Sequence, residues 1–168
     1  EALESVGKAA KAMGVAEGEK AQAITQIAEQ LRQADEAVRQ GLQQLQQVAA
    51  QTPDGERVLS VYFRQLLDAE GARAGRVDAA LREALENIRA RVAQGQPSTA
   101  VRQEEWGRYF PLAQKHMDDY KAAVTQVFAD ATQDVQRLQA GEPVVQVLGG
   151  KLSLVEREME SLLEATSV

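Results

Sequence analysis

Few residues of this chain could do covalent or acid–base chemistry. His116 is the only histidine among 168 residues, and there is no cysteine. One histidine cannot supply the pair of an HExxH zinc site. A di-iron bundle needs Glu-x-x-His on two helices, and the residue three before His116 is Ala113. Asp118 and Asp119 adjoin His116, but on a helix His116 and Asp119 form an ordinary surface pair. Gly149-Gly150 follows an apolar run without the Lys-Ser/Thr of a phosphate loop, and no nucleophile elbow is present. The residues therefore point away from an enzyme: no catalytic residue, metal site or cofactor is expected.

Arginines are the better candidates for recognition. Arg32 and Arg39 stand seven apart on one stripe with Thr25 and Gln46, beside an apolar seam. Such a stripe can hold a small carboxylate by charge-assisted hydrogen bonds. The plainer reading is intrahelical pairing, because Glu29 precedes Arg32 by three residues and Asp35 and Glu36 precede Arg39 by four and three. Arg73 falls seven residues after Leu66, close to the apolar seam. An arginine near a core needs an acid, a carbonyl or a ligand, and Glu70 is the nearest acid. Tyr62, Phe63 and Phe128 are expected at similar heights, as a pocket or as plain core. Trp106, Tyr109 and Phe110 form a second aromatic cluster, expected to be partly bare if the last helix is truncated.

These side chains must be positioned by helices. Aromatic residues are only 4% of the chain and prolines number four, so the core is built from Leu, Val, Ile and Ala. Ile24, Leu31, Val38 and Leu45 recur every seven residues, with Ile27, Ala34, Gly41 and Val48 as a second seam. Leu3, Val6, Ala10 and Met13 form a similar stripe upstream, which we join to the first helix through an irregularity at Gly14 to Gly18. Breakers at 51–55, 95–98 and 141–143 divide the rest. Phe63, Leu67, Ala74, Val77, Leu81, Leu85, Ile88 and Val92 are expected to line one face of the second helix. Trp106, Ala113, Tyr120 and Val127, with Phe110, Met117, Val124, Ala131 and Leu138, do so on the third, which is expected to kink at Pro111. The last helix uses Leu148, Leu152, Val155, Met159 and Leu162.

The expected fold is an all-α, elongated, antiparallel up-down four-helix bundle in a single domain, with helices at about 2–50, 55–94, 99–140 and 143–166. Short connections force antiparallel neighbours, and the middle helices would be about 60 Å long. The native last helix is expected to continue past Val168. Gly41 and Gly149-Gly150 are expected to let the first and last helices approach, and Gly71 and Gly75 to permit close packing. A net charge of −6 with no basic run disfavours nucleic acid.

The heptad architecture and the segment 104–124 (EEWGRYFPLAQKHMDDYKAAV) resemble the extracytoplasmic four-helix-bundle sensor domains of bacterial methyl-accepting chemoreceptors and sensor histidine kinases. The resemblance covers most of the chain and lies in architecture, without a diagnostic motif. It implies the periplasmic portion of an inner-membrane protein, homodimeric, with its membrane anchor outside these residues. It implies a small organic acid or amino acid as ligand, and a helix shift relayed across the membrane. In that family arginines of the first helix meet a polar residue of the fourth; Arg32 and Arg39 hold a loosely similar place, with Gln146 or Ser153 to answer them. A helical protein-interaction module without small-molecule ligand, and a lipid-coating amphipathic protein, are the other readings.

Overall fold

Four punctuation points, at 51–54, 94–97, 140–143 and Gly149, interrupt an otherwise continuous run of good helix formers among the described residues. In the computed structural model, which describes residues 19–166, α1 spans Glu19–Ala50, α2 Gly55–Ala93, α3 Ser98–Gln139, α4 Val144–Leu148 and α5 Gly150–Thr166. The described residues are all-helical, with no strand, and three of the helices are long, at 32, 39 and 42 residues. The expected helix at 2–50 is seen from Glu19; its upstream stripe, Leu3 to Met13, lies outside the described residues. Pro111 stands inside α3, which continues as helix on both sides of it.

Two of the turns are the same device. Gly95 and Gly141 have φ of 88° and 92°, a left-handed conformation that favours glycine. Gln96 N–H donates to the Arg91 carbonyl and Gly95 N–H to that of Val92; Glu142 and Gly141 repeat this with Arg137 and Leu138. This is the Schellman pattern, and Pro97 and Pro143 follow it because proline cannot extend the helix. The arginine side chain closes each turn, Arg91 Nε donating to Gln96 Oε1 at 2.8 Å and Arg137 Nε to Glu142 Oε2 at 2.9 Å. In the third turn, a Cβ on Gly55 would lie 2.0 Å from the Ala49 carbonyl oxygen, so this close passage requires glycine.

The expected single helix at 143–166 is corrected. It is divided into pieces of 5 and 17 residues. Gly149 adopts φ 55°, ψ −135° between them, a conformation that ends the helical ladder. Gly149 and Gly150 meet nothing within 4 Å of a built Cβ, and Gly41 instead abuts Phe128. The close approach of first and last helices expected at these glycines is therefore absent. Gly71 and Gly75 are also exposed, with nothing within 4 Å of a built Cβ, so neither serves close packing.

The chain forms two compact units. The first takes 19–36 with Glu70–Ala122, and the second Ala37–Ala69 with 123–166, among the described residues. Each long helix contributes a stretch to each unit.

In the first unit, Ile27, Leu31 and Ala34 of α1 are buried, with Val77, Ala80 and Ala84 of α2 and Val101, Trp106, Tyr109, Ala113, Met117 and Tyr120 of α3. Asn87 reaches Glu105, and Arg73 reaches Tyr120, so α2 and α3 run antiparallel. Gln114 Nε2 donates to Gln30 Oε1 at 2.6 Å, tying α3 to α1. The aromatic cluster, expected to be partly bare if the last helix is truncated, is covered: Trp106 and Tyr109 are buried and Phe110 half-buried. Trp106 stacks on Tyr109 and meets Phe110 edge-on at 4.2 Å between centroids.

In the second unit, Leu45 and Ala49, Val58, Val61, Tyr62 and Leu66, and Val124 to Leu138 at helical spacing form the core with Val147, Leu148 and Leu152. Gly41 lies against Phe128 and Thr52 bonds Gln139, the same sequence offset, so α1 and α3 run parallel here. An ion pair of 2.7 Å between Arg64 and Glu158 ties α5 to α2.

The expected seam of α2 is also corrected. Val77 is buried, but Phe63, Leu67 and Val92 are exposed. The inward positions are Val58, Val61, Tyr62, Leu66, Arg73, Val77, Ala80 and Ala84. The Tyr62 hydroxyl donates to Asp134 on α3, which turns Tyr62 inward and Phe63, one residue and about 100° further round, outward. On α1 the buried stripe moves from the expected Val48 to Ala49 because a straight helix drifts ~20° per heptad against a seven-residue repeat. Leu162, expected inside, is exposed.

Gly55→Ala and Gly75→Ala should move stability in opposite directions. The first forces backbone apart and is expected to cost about 1–3 kcal/mol. The second relieves an exposed mid-helix glycine and should gain up to about 1 kcal/mol. Urea midpoints of the two variants measure both; shifts of the same sign contradict this geometry.

Candidate functional site

Arg73 is the residue whose surroundings most call for a partner. It occupies a core position of α2, one turn before Val77, and is only 6% exposed. Its guanidinium carbon lies 5.1 Å from the centroid of the Tyr120 ring of α3. A cation over an aromatic face is worth about 0.5–2 kcal/mol, less than the desolvation of a buried charge. Its Nε is buried and makes no hydrogen bond. Among the described residues no carboxylate lies within ion-pair reach of it, and Glu70, the expected partner, is exposed and forms no pair with it. Burial raises the pKa of Tyr120, Asp35 and Glu70 raise it further, and Arg73 opposes them. The cation therefore sits on a neutral ring, with acids near enough to be felt but not to bond.

The first unit holds three more buried polar atoms without a hydrogen bond: Trp106 Nε1, Tyr109 Oη and His116 Nδ1. With Arg73 Nε these are all such atoms among the described residues. An unsatisfied buried group costs about 1–3 kcal/mol, so a protein seldom collects several in one region without a role for them. The pKa of Tyr109 is pushed up to about 12, by burial first and then by the charge of Asp78. The expected surface pair of His116 with Asp119 is not formed.

Other buried polar groups are satisfied. Glu105 accepts from Asn87 Nδ2 at 3.4 Å and Arg91 Nη1 at 3.3 Å, with Arg108 Nη1 at 3.6 Å. In the second unit Asp134 accepts from Tyr62, and Thr52 Oγ1 donates to the Val48 carbonyl and accepts from Gln139. Glu105 lies near the start of α3, where the sequence places acids that the helix dipole favours, whereas nothing in the sequence reading pointed to Asp134. The usable signal was a carboxylate at core spacing, as in Val101, Glu105, Tyr109.

The remaining candidates do not gather around Arg73. Arg32 is exposed and pairs with Glu29 at 2.5 Å, the intrahelical alternative; this bond lowers the pKa of Glu29. Arg39 is exposed on the α1 stretch of the second unit. Tyr62 is buried with its hydroxyl committed to Asp134, while its neighbour Phe63 is 49% exposed. The cavity beside Phe128 is lined by neither. Among the described residues no group of three or more potential ligands could hold a metal ion, and no helix is long and apolar enough to cross a membrane.

The chain matches no family model, no curated protein and no solved structure.

All three tyrosines have raised pKa values, burial being the first cause in each. For Tyr62 the hydrogen bond to Asp134 adds to it. The folded state thus holds these protons more tightly than the unfolded chain. Their stabilisation is full below pH of about 10, the ordinary tyrosine value, and is lost as pH rises above it. Absorbance at 295 nm should show no tyrosine ionising near pH 10 while helical circular dichroism persists. A tyrosine that titrates normally in the folded chain contradicts this.

Proposed function

We propose that this chain is the periplasmic sensor domain of a bacterial transmembrane receptor. In this reading it is an antiparallel up-down four-helix bundle and a homodimer that binds a small carboxylate ligand and relays a helix shift across the membrane. The observation that carries the reading is Arg73: a guanidinium buried against Tyr120 with no acid among the described residues to neutralise it. A carboxylate supplies the missing charge and accepts the guanidinium hydrogens in a planar, paired arrangement. Ligand binding then removes an electrostatic penalty carried by the empty domain. Long helices that pass through both compact units give a local change at Arg73 a continuous backbone along which to act. The ligand reading moves from Arg32 and Arg39, which are exposed, to Arg73.

Thermal unfolding against a panel of organic acids and amino acids tests it. A ligand at 100 times its dissociation constant adds about 2.7 kcal/mol, and about 2–4 °C per kcal/mol is typical of a domain this size. A selective rise of about 5–10 °C is therefore expected. Arg73→Met should abolish that rise and leave the empty domain as stable or more so, because methionine fills the space without the charge. A panel without any shift, together with a destabilised Arg73→Met, would make Arg73 a structural residue and favour a helical protein-interaction module.

A further inference from the structure

A second recess lies wholly within the second unit, between the parallel stretches of α1 and α3. Its volume is about 350 Å³, within the range of small-molecule pockets, and no residue of α4 or α5 lines it. Its apolar wall is Leu45, Val135 and the ring of Phe128. That ring points its tip at Gly41, where a Cβ would lie 2.6 Å from Cζ. The ring can take this place only because position 41 is glycine, a residue that costs a helix interior about 0.5–1 kcal/mol.

The polar lining is as informative as the apolar. It consists of Thr132 and three glutamines, with no charged side chain, in a chain of which 26% is charged. No charged side chain lines it, so an ion seated here gains no counter-charge. Thr132 Oγ1 already donates to the Phe128 carbonyl, and Gln139 Nε2 donates to Thr52. Gln44 and Gln136 make no side-chain hydrogen bond within the described protein, so each offers a donor and an acceptor.

We propose that this recess binds an uncharged, flat molecule, an aromatic ring bearing an amide or similar donor–acceptor pair. The ring lies against Phe128, Leu45 and Val135, and the polar edge bonds Gln44 and Gln136. This site is separate from Arg73 and does not depend on the sensor reading: its ligand is neutral where that one is anionic.

Benzamide and benzoate, nearly the same shape and differing in charge, separate the cases. Each is titrated to millimolar concentration into the ¹⁵N-labelled chain. Benzamide should shift the backbone amide signals of Gly41, Gln44, Thr132 and Gln136 saturably, and benzoate should bind there at least tenfold more weakly. Val48→Trp, at a lining position that is 42% exposed, should fold normally and weaken benzamide at least tenfold by filling the recess. Benzamide shifts absent from those residues, equal binding of benzoate, or unchanged binding in a folded Val48→Trp variant each overturn the proposal.

Discussion

Two polar side chains on the inward face of α2 set much of what the molecule can do. Tyr62 and Arg73 both occupy positions that an apolar residue would fill in a plain bundle. Low dielectric makes their fates diverge. Tyr62 finds Asp134 across the core, and a hydrogen bond to a charged group is worth about 1.5–3 kcal/mol. Arg73 lies over the Tyr120 ring, and among the described residues no acid pairs with it. The first interaction holds its own stretch of α2, in the second unit, with Tyr62 inward and Phe63 outward. The same helix brings the second to a place where its charge is unanswered.

The contrast extends through each unit. In the second, buried polar atoms are paired by neighbours within the protein, and among its described residues none is left without a hydrogen bond. In the first, Glu105 is held by two arginines and an asparagine, yet four other polar atoms stand unpaired. Full pairing gives rigidity and a single arrangement. Incomplete pairing leaves buried polar groups without the bonds they would make in water. The division of labour in this chain follows hydrogen-bond accounting more closely than it follows hydrophobicity.

Much of the fold was legible because helix breakers are local chemistry. Gly-x-Pro at 95–97 and 141–143 predicted the ends of α2 and α3 to within a residue, and the repeat Trp106, Ala113, Tyr120, Val127 marked a truly buried stripe. The seam of α2 was not legible: Leu59, Phe63, Leu66 and Leu67 spread apolar character over several faces, and only the cross-core bond to Asp134 selects one. The break at Gly149 was hidden because an apolar pattern continues on both sides of it. Arg73 could be picked out by its seven-residue spacing from Leu66. That its charge is unanswered could not, because Glu70, one turn away in sequence, looked like a partner and turns outward instead.

The repeated arginine–glycine–proline turns carry a consequence for how the chain acquires its structure. Each turn closes through hydrogen bonds spanning no more than five residues, Arg91 to Gln96 and Arg137 to Glu142. Closing so short a span costs little chain entropy and takes far less time than bringing distant segments together. The reversal between α2 and α3 is therefore written into the chain before any helix has a neighbour to pack on. Where this device stands, after α2 and after α3, the change of direction needs no distant contact, and the search that remains there is for how far each helix must roll about its own axis.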